Sequence, residues 1–400
     1  RLLLLCFDWK YYEDLNNNFK INIMPFLDYV LQRPSYGWQD SEGTLIKPTT
    51  KQLFKEFFSR LNVFKDRKNW LPFFSWFKVI CLIPFFVVFL IYFLSWWTLL
   101  AAFIYSMIIM GTHGTIWHHR YCTHGAYKFS SPFWRLITQN LTLNVIPEEI
   151  YVISHHVHHA KSDQPGDPYN AQAGFLYCFL ADVNHQPIAK ELSEADYNRV
   201  KLLMKHTGVT GNTYDEYKKW GSYVKPVSAI SSWLLNWSFW YSIFYLIGGH
   251  ALACSLFGAA GFWAVGVRTF NYEGHAKGQD KQREGIDFSQ KDKSINQLWP
   301  GLVAGEWHNN HHLYPKSARS GFKPYQFDLA WYYIKMMNIL GAVSSYKDYK
   351  KQFYKQYHNP YLQSRELANK KTDNEQAADT EENSDIKLQT QAVLSNNYQT

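Results

Sequence analysis

His155-His156-Val157-His158-His159 places three imidazoles at positions i, i+3 and i+4. Successive residues of an α-helix turn by about 100°, so His155, His158 and His159 project from one face of such a helix. Neutral imidazole ligates iron, zinc, copper and nickel, and three on one face make half of a metal site. Taken alone, the run reads equally well as a solvated polar stretch. The pattern recurs, however, as His308-Asn309-Asn310-His311-His312, and His119-Arg120-Tyr121-Cys122-Thr123-His124 adds a pair five apart. These three spacings hold eight of the 16 histidines in the chain. Scattered structural histidines do not cluster in this way, and a metal site follows.

The donor types narrow the metal. The chain has no Glu-x-x-His pair of the kind that bridges iron in soluble carboxylate bundles, and no His-Glu-x-x-His zinc-protease signature. Eight imidazoles exceed what one tetrahedral zinc accepts and suit two metal ions. Iron is the natural choice where oxygen chemistry is intended. No side chain beyond the metal ligands is singled out as catalytic. His119 and His124 lie about 140° apart around an α-helix, so the helix is expected to end or bend between them. His275 is a ninth candidate ligand. Asn271, four residues before it, has an amide that could hold a metal-bound water; both also read as ordinary polar residues at a helix end. Glu306 and Asp167 are candidates for orienting ligand imidazoles, and Asp167, just before Pro168, equally suits a turn. His113, His118, His156, His185, His206, His250 and His358 fall outside the spacings and are expected to be structural.

The elements that must position these residues are dictated by where charge is missing. From Val79 to His119 there is no Lys, Arg, Asp or Glu. A membrane-spanning helix needs about 20 apolar residues, so residues 79–119 accommodate a hairpin of two. The turn is expected at Ser95-Trp96-Trp97-Thr98 and a kink at Pro84. Residues 226–267, between Lys225 and Arg268, are likewise uncharged, and Gly248-Gly249-His250 divides them into a second hairpin. Neither of these turns carries Lys or Arg, whereas the flanks on the other side do. The positive-inside rule then places both termini and the long middle segment in the cytoplasm. The expected architecture is an all-α integral membrane protein. Four transmembrane helices carry a cytosolic helical cap, in which all three histidine stretches emerge on one face.

Around the hairpins, residues 24–78 form a cytosolic N-terminal region. Within it, residues 47–78 mix Lys and Arg with Phe and Trp and suit either helices on a membrane surface or an amphipathic helix packed on the protein. Residues 120–225 and 268–360 are expected to build the cap, with a helix over 131–146, a turn-rich loop over 163–170 and helices over 190–221. Residues 361–400 have a disordered composition. Residues 1–23 read as a possible upstream extension, with Met24 as the expected start.

The net charge of +8 does not indicate nucleic-acid binding, because no zinc-finger spacing and no basic, aromatic-interleaved helix accompanies it. A basic inner-membrane surface accounts for it. The five cysteines are widely spaced with no Cys-x-x-Cys, which argues against a disulfide framework and a thiolate zinc site.

In combination and order, His119-x4-His124, His155-x-x-His158-His159 and His308-x-x-His311-His312 resemble the three histidine boxes of membrane fatty acid desaturases, the stearoyl-CoA (delta-9) group especially. Asn271-x3-His275 is similar to that group's extra pair before the third box, and the likeness spans residues 105–346. The resemblance implies two iron ions (Fe2+/Fe3+), O2 as co-substrate, and two electrons from a separate donor, a ferredoxin or a b-type cytochrome with its reductase. It implies a cis double bond made in a saturated long-chain acyl-CoA or acyl-lipid held in an apolar tunnel. The lipid bilayer is the setting, either a bacterial inner membrane or the endoplasmic reticulum, with the site on the cytoplasmic side.

Two departures stand out. Ile153-Ser154 occupy the place where acyl-CoA members have Arg-Asp, which leaves the acyl carrier open. Gly305-Glu306-Trp307-His308 is one residue tighter than the usual approach to the third box. A histidine rather than glutamine opens that box, and no His-Pro-Gly-Gly haem motif occurs; both features disfavour a front-end desaturase with a fused cytochrome. A hydroxylase of the same di-iron superfamily is the nearest alternative. A histidine-rich metal transporter or sensor is a remote one, because it would carry its ligands inside the spans.

Overall fold

A computed structural model of the chain describes residues 25–273 and 307–370, apart from 361 and 365. Three helical runs in it are long and apolar enough to cross a membrane: α2 over Arg67–Phe93, α3 over Trp96–Thr123, and α9 over Pro226–Glu273. A shorter helix, α1 (Thr50–Leu61), precedes them. Between α3 and α9 lie α4 (Pro132–Gln139), α5 (Glu148–Lys161), α6 (Phe175–Phe179), α7 (Glu194–Leu203) and α8 (Tyr214–Trp220). After α9 come α10 (His308–Leu313) and α11 (Leu329–Ile339). One small antiparallel pair joins β1 (Tyr127–Phe129) to β2 (Val343–Tyr346). A separate unit from Tyr349 onward carries the helical turns Lys350–Phe353 and Tyr354–His358.

The expected turn between α2 and α3 falls at Ser95, whose hydroxyl caps α3 by accepting from the Thr98 amide while Thr98 reciprocates toward the Ser95 amide. Helix α2 runs without a break across residue 78, where the uncharged block begins. Lys78 lies inside the continuous helix Trp70–Val88 and is 2% exposed, its ammonium donating to the Asn144 carbonyl at 3.4 Å. A charge with an internal partner need not end a helix. The helix also runs on through Pro84 and widens into π-helical turns only at Phe89–Phe93. The second uncharged block forms one run broken at Gly248 (φ −147°, ψ 23°) and Gly249 (φ 63°, ψ −162°). The latter conformation is open essentially to glycine alone.

The helix expected over 131–146 stops at Gln139, and residues 140–146 are irregular. Their backbone groups bond instead to side chains of α9. Asn236 accepts from the Asn144 amide at 2.9 Å and donates to the Thr142 carbonyl at 3.1 Å, and the Trp240 indole donates to the Asn140 carbonyl at 2.9 Å. These bonds make irregular backbone tolerable beside apolar helices. The helices expected over 190–221 are two, α7 and α8, separated by a turn in which Gly208 has φ 68°.

Two main apolar cores result. One lies among the long helices, where Leu82, Met110, Phe244, Phe257 and Trp263 pack together. The other joins the end of α3 to the remaining elements, with Trp117, Tyr121, Val152, Val157, Tyr197, Met204 and Trp331. Apolar side chains such as Ile80, Ile91, Leu100, Leu235, Leu246 and Phe262 remain exposed along α2, α3 and α9, as lipid-facing residues of spanning helices should. The four described cysteines Cys81, Cys122, Cys178 and Cys254 are free thiols.

Candidate metal centre

The first histidine pair sits at the end of α3, which ends between them at Thr123 as expected, though not as an α-helix. It widens: residues Thr115–Thr123 are π-helical, and the His124 amide donates to the His119 carbonyl at 3.2 Å, an i to i+5 bond. A π turn brings residues five apart toward one face, which reduces the 140° offset of an α-helix. Gly125, with φ 53°, then turns the chain into β1.

Between the two histidines, Arg120 is fully buried. Its guanidinium donates to the Ala318 carbonyl at 2.6 Å and the Ser320 hydroxyl at 2.8 Å, and pairs with Asp328 at 3.0 Å. Asp328 also accepts the Ser320 amide at 2.8 Å and caps α11 through the Trp331 amide. This cluster ties the end of α3 to the chain that follows α10. The sequence reading passed over Arg120, although a lone cation next to an uncharged block is a signal of a buried ion pair.

The second stretch lies on α5, which buries Val152, Ile153 and Val157 in the core and turns its histidines toward the end of α3. Ile153 and Ser154 are both fully buried, and the Ser154 hydroxyl bonds the Ile150 carbonyl at 2.7 Å and the Tyr169 hydroxyl at 2.7 Å. The third stretch lies on α10. Asn310 anchors it by donating to the Ser320 carbonyl at 2.7 Å and to Gln326 at 2.8 Å, and the buried Trp307 indole donates to the Phe327 carbonyl at 2.8 Å.

The three elements bring His119, His124, His155, His159 and His311 together, with one ring nitrogen from each within 4.8 Å of all the others. His311 Nε2 stands 2.9 Å from His119 Nε2 and 2.9 Å from His159 Nε2, and His159 Nε2 is also 3.2 Å from His155 Nε2. A neutral imidazole nitrogen either carries a proton or offers a lone pair. His311 Nε2 and His159 Nε2 each face two such nitrogens, so protons alone cannot satisfy all of these contacts, whereas a cation can. His124 Nε2 is buried without a hydrogen-bond partner among the described residues. Burial, and then the neighbouring histidines, hold His124, His155, His159 and His311 well below the usual histidine range, so all four are neutral at physiological pH. This donor set fits a metal.

His158 and His312 stand beside the five. Their rings are 5.2 Å apart and that of His312 is 4.7 Å from His159. His158 Nδ1 donates to Asp167 at 2.9 Å. The same carboxylate accepts the Tyr169 amide at 2.8 Å and the Asp163 amide at 2.8 Å within the turn. His308 is the first residue of α10. The amide of Asn271 reaches the Cys178 carbonyl at 3.5 Å, and His275 and Glu306 lie outside the described residues. Histidines outside the spacings have structural partners: His113 bonds the Thr138 carbonyl at 2.8 Å, His118 the Ile146 carbonyl at 3.3 Å, and His185 the Tyr36 hydroxyl at 3.2 Å.

The sequence is similar to known proteins. Residues 94–337 match the model of the family described as fatty acid desaturase. The sn-1 stearoyl-lipid 9-desaturase of Anabaena variabilis is 28% identical over 265 residues, which cover 63% of this chain and 85% of that protein. The icosanoyl-CoA 5-desaturase of Limnanthes douglasii is 26% identical, covering 64% of this chain and 67% of its own. Delta-9 acyl-lipid desaturase 2 of Arabidopsis thaliana is 26% identical, covering 64% and 76% respectively.

Proposed function

The chain belongs to the fatty acid desaturase family, and from that premise we propose that it introduces a cis double bond, at position 9, into a saturated long-chain acyl-CoA or acyl-lipid. The reaction takes O2 and two electrons, the latter from a separate donor protein. The observation that carries this reading is the convergence of five imidazoles from three elements within 4.8 Å. Two of the three relatives above are named for position 9 and one for position 5; two are named for lipid substrates and one for a coenzyme A ester.

His119, His124, His155, His158, His159, His308, His311, His312 and His275 are the residues proposed to hold two iron ions, with Asn271 acting through a water. Iron so held would supply the oxygen activation that an unactivated C–H bond requires and that no side-chain acid or base provides. The protein's own part is positional. Asp167 fixes the His158 tautomer with the proton on Nδ1, leaving Nε2 as the acceptor nitrogen. Arg120 and Asp328 hold the α3 end and the post-α10 segment in register. Burial keeps His124, His155, His159 and His311 deprotonated and excludes water.

The proposed setting is a four-span membrane protein, in which the break at Gly248–Gly249 is the turn of a second hairpin. The basic flanks around Lys225 and Arg268 and the histidine stretches lie on the cytoplasmic side. The deciding measurement is the fatty-acid profile of desaturase-deficient cells expressing the chain or its His124→Ala variant, together with the iron content of the purified proteins. We expect new monounsaturated chains with bound iron in the parent, and loss of both in the variant. Hydroxylated chains in place of alkenes would replace the reading with the hydroxylase, and monoenes persisting in the variant would remove His124 from the site.

A further inference from the structure

Each desaturation turnover consumes one O2, two electrons and two protons and yields the alkene and two water molecules, so an external one-electron carrier must visit the protein twice. Where it docks is written in charge. The turn that follows His124 is covered by His206. A β-carbon at Gly125 would sit 3.1 Å from His206 Nε2, and the His206 and Tyr121 rings are 5.8 Å apart. Around His206 the cations converge. The Arg135 guanidinium lies against Gly208, two residues further on. Lys128 pairs with Ser345 in the β1–β2 ladder, and the Lys347 amide donates to the Ala126 carbonyl at 3.0 Å. Side chains two apart on a strand, and those opposite them, share a face, so Lys128 and Lys347 emerge on the same side of the ladder.

Lys128, Lys205 and Lys347 are all exposed. Lys205 adjoins His206 in the chain, and after burial the charges of Lys205, Lys128 and Lys347 push the pKa of His206 down to about 4. The His156 ring is 6.4 Å from that of His124. Among the described residues no carboxylate comes within ion-pair distance of Lys128, Lys205 or Lys347, and the adjacent Asp348 is engaged by Arg319 at 3.5 Å. An exposed, uncompensated group of cations over the turn that carries a histidine of the metal cluster is suited to an acidic partner.

We propose that the face formed by Lys128, Arg135, Lys205 and Lys347 over His206 is the docking surface of an acidic electron-carrier protein. Electrons enter there toward the His124 end of the cluster. This rests on the desaturase reading, and the test separates the two. Full-length protein in neutral-lipid nanodiscs is supplied with electrons either by an acidic carrier or by photoreduced 5-deazariboflavin, a small uncharged reductant. Reduced plant-type ferredoxin and the reduced soluble domain of a b-type cytochrome are the two carriers tried. The combined Lys128→Glu and Lys347→Glu variant, and the milder Lys128→Gln and Lys347→Gln variant, should slow carrier oxidation at low salt at least tenfold and severalfold respectively. Both should flatten its salt dependence, while alkene formation with deazariboflavin is unchanged.

Equal slowing with both reductants would overturn the proposal, as would carrier oxidation unaffected by either substitution. Deazariboflavin supporting turnover while neither acidic carrier does would overturn it too. An effect seen only in bilayers of anionic lipid, and with either reductant, would reassign the face to lipid headgroups. Absence of alkene from the parent with every reductant would instead sink the desaturase reading itself.

Discussion

Asp167 serves two structures with one carboxylate. One side accepts His158 Nδ1 and the Tyr169 amide, and the other accepts the amide of Asp163, a residue with φ 60°. In an Asp167→Asn variant one of these positions must present an amide donor to another donor. Partners of this kind cost about 10- to 100-fold in metal affinity when removed, so iron retention during dialysis against a chelator should fall by about that factor with the far-ultraviolet spectrum unchanged. A second residue-scale consequence concerns acid. His124, His155, His159 and His311 have folded-state pKa values depressed below their unfolded value by burial and by one another. The unfolded chain therefore takes up protons first as pH falls. The stability these residues contribute is present above about pH 6.5 and lost below it. Melting temperatures of the metal-free protein measured at falling pH should drop steeply through that window, and a flat profile would contradict the neutral, buried cluster.

At the scale of elements, the long helices approach each other closely because α9 offers glycine where α2 passes. A β-carbon at Gly258 would lie 2.7 Å from Phe86 Cα, and one at Gly261 would lie 2.9 Å from Leu82 Cβ. Small residues at helix crossings provide the packing that holds membrane helices together. The atom met by Gly258 is backbone, so no rotamer change relieves the overlap. Gly258→Leu should destabilise the protein in detergent by about 1–3 kcal/mol or more, read as an earlier thermal transition. Gly266, near the end of the same helix, meets nothing within 4 Å, and Gly266→Ala should leave the transition in place.

At the scale of the whole molecule, the proposed two-hairpin plan makes an accessibility prediction. In sealed vesicles with the cytoplasmic face outward, a cysteine replacing Lys205 should react with a membrane-impermeant maleimide at once. One replacing Ile247, which is 71% exposed next to the Gly248–Gly249 break, should react only after the vesicles are opened. Labelling of both in intact vesicles would mean that the break is not a turn on the far side and that the run is not two spans.

The order of the histidine spacings, the two uncharged blocks and the glycine break are one-dimensional features, and the chain's composition was enough to make them legible. They pointed to a metal, to the family and to a helical membrane architecture without any knowledge of packing. Element ends and partners were not legible, because they depend on what arrives from elsewhere in the chain. Lys78 does not end its helix because the Asn144 carbonyl meets it, and residues 140–146 leave helix because α9 supplies Asn236 and Trp240 as substitutes for helical bonds. The π turn that aligns His119 with His124 has no distinctive sequence pattern, and Arg120 between them finds its carboxylate 208 residues away. Which five of the histidines share one 4.8 Å space is likewise a tertiary fact. Spacing sets the face on which an imidazole lies, but only packing brings three such faces together.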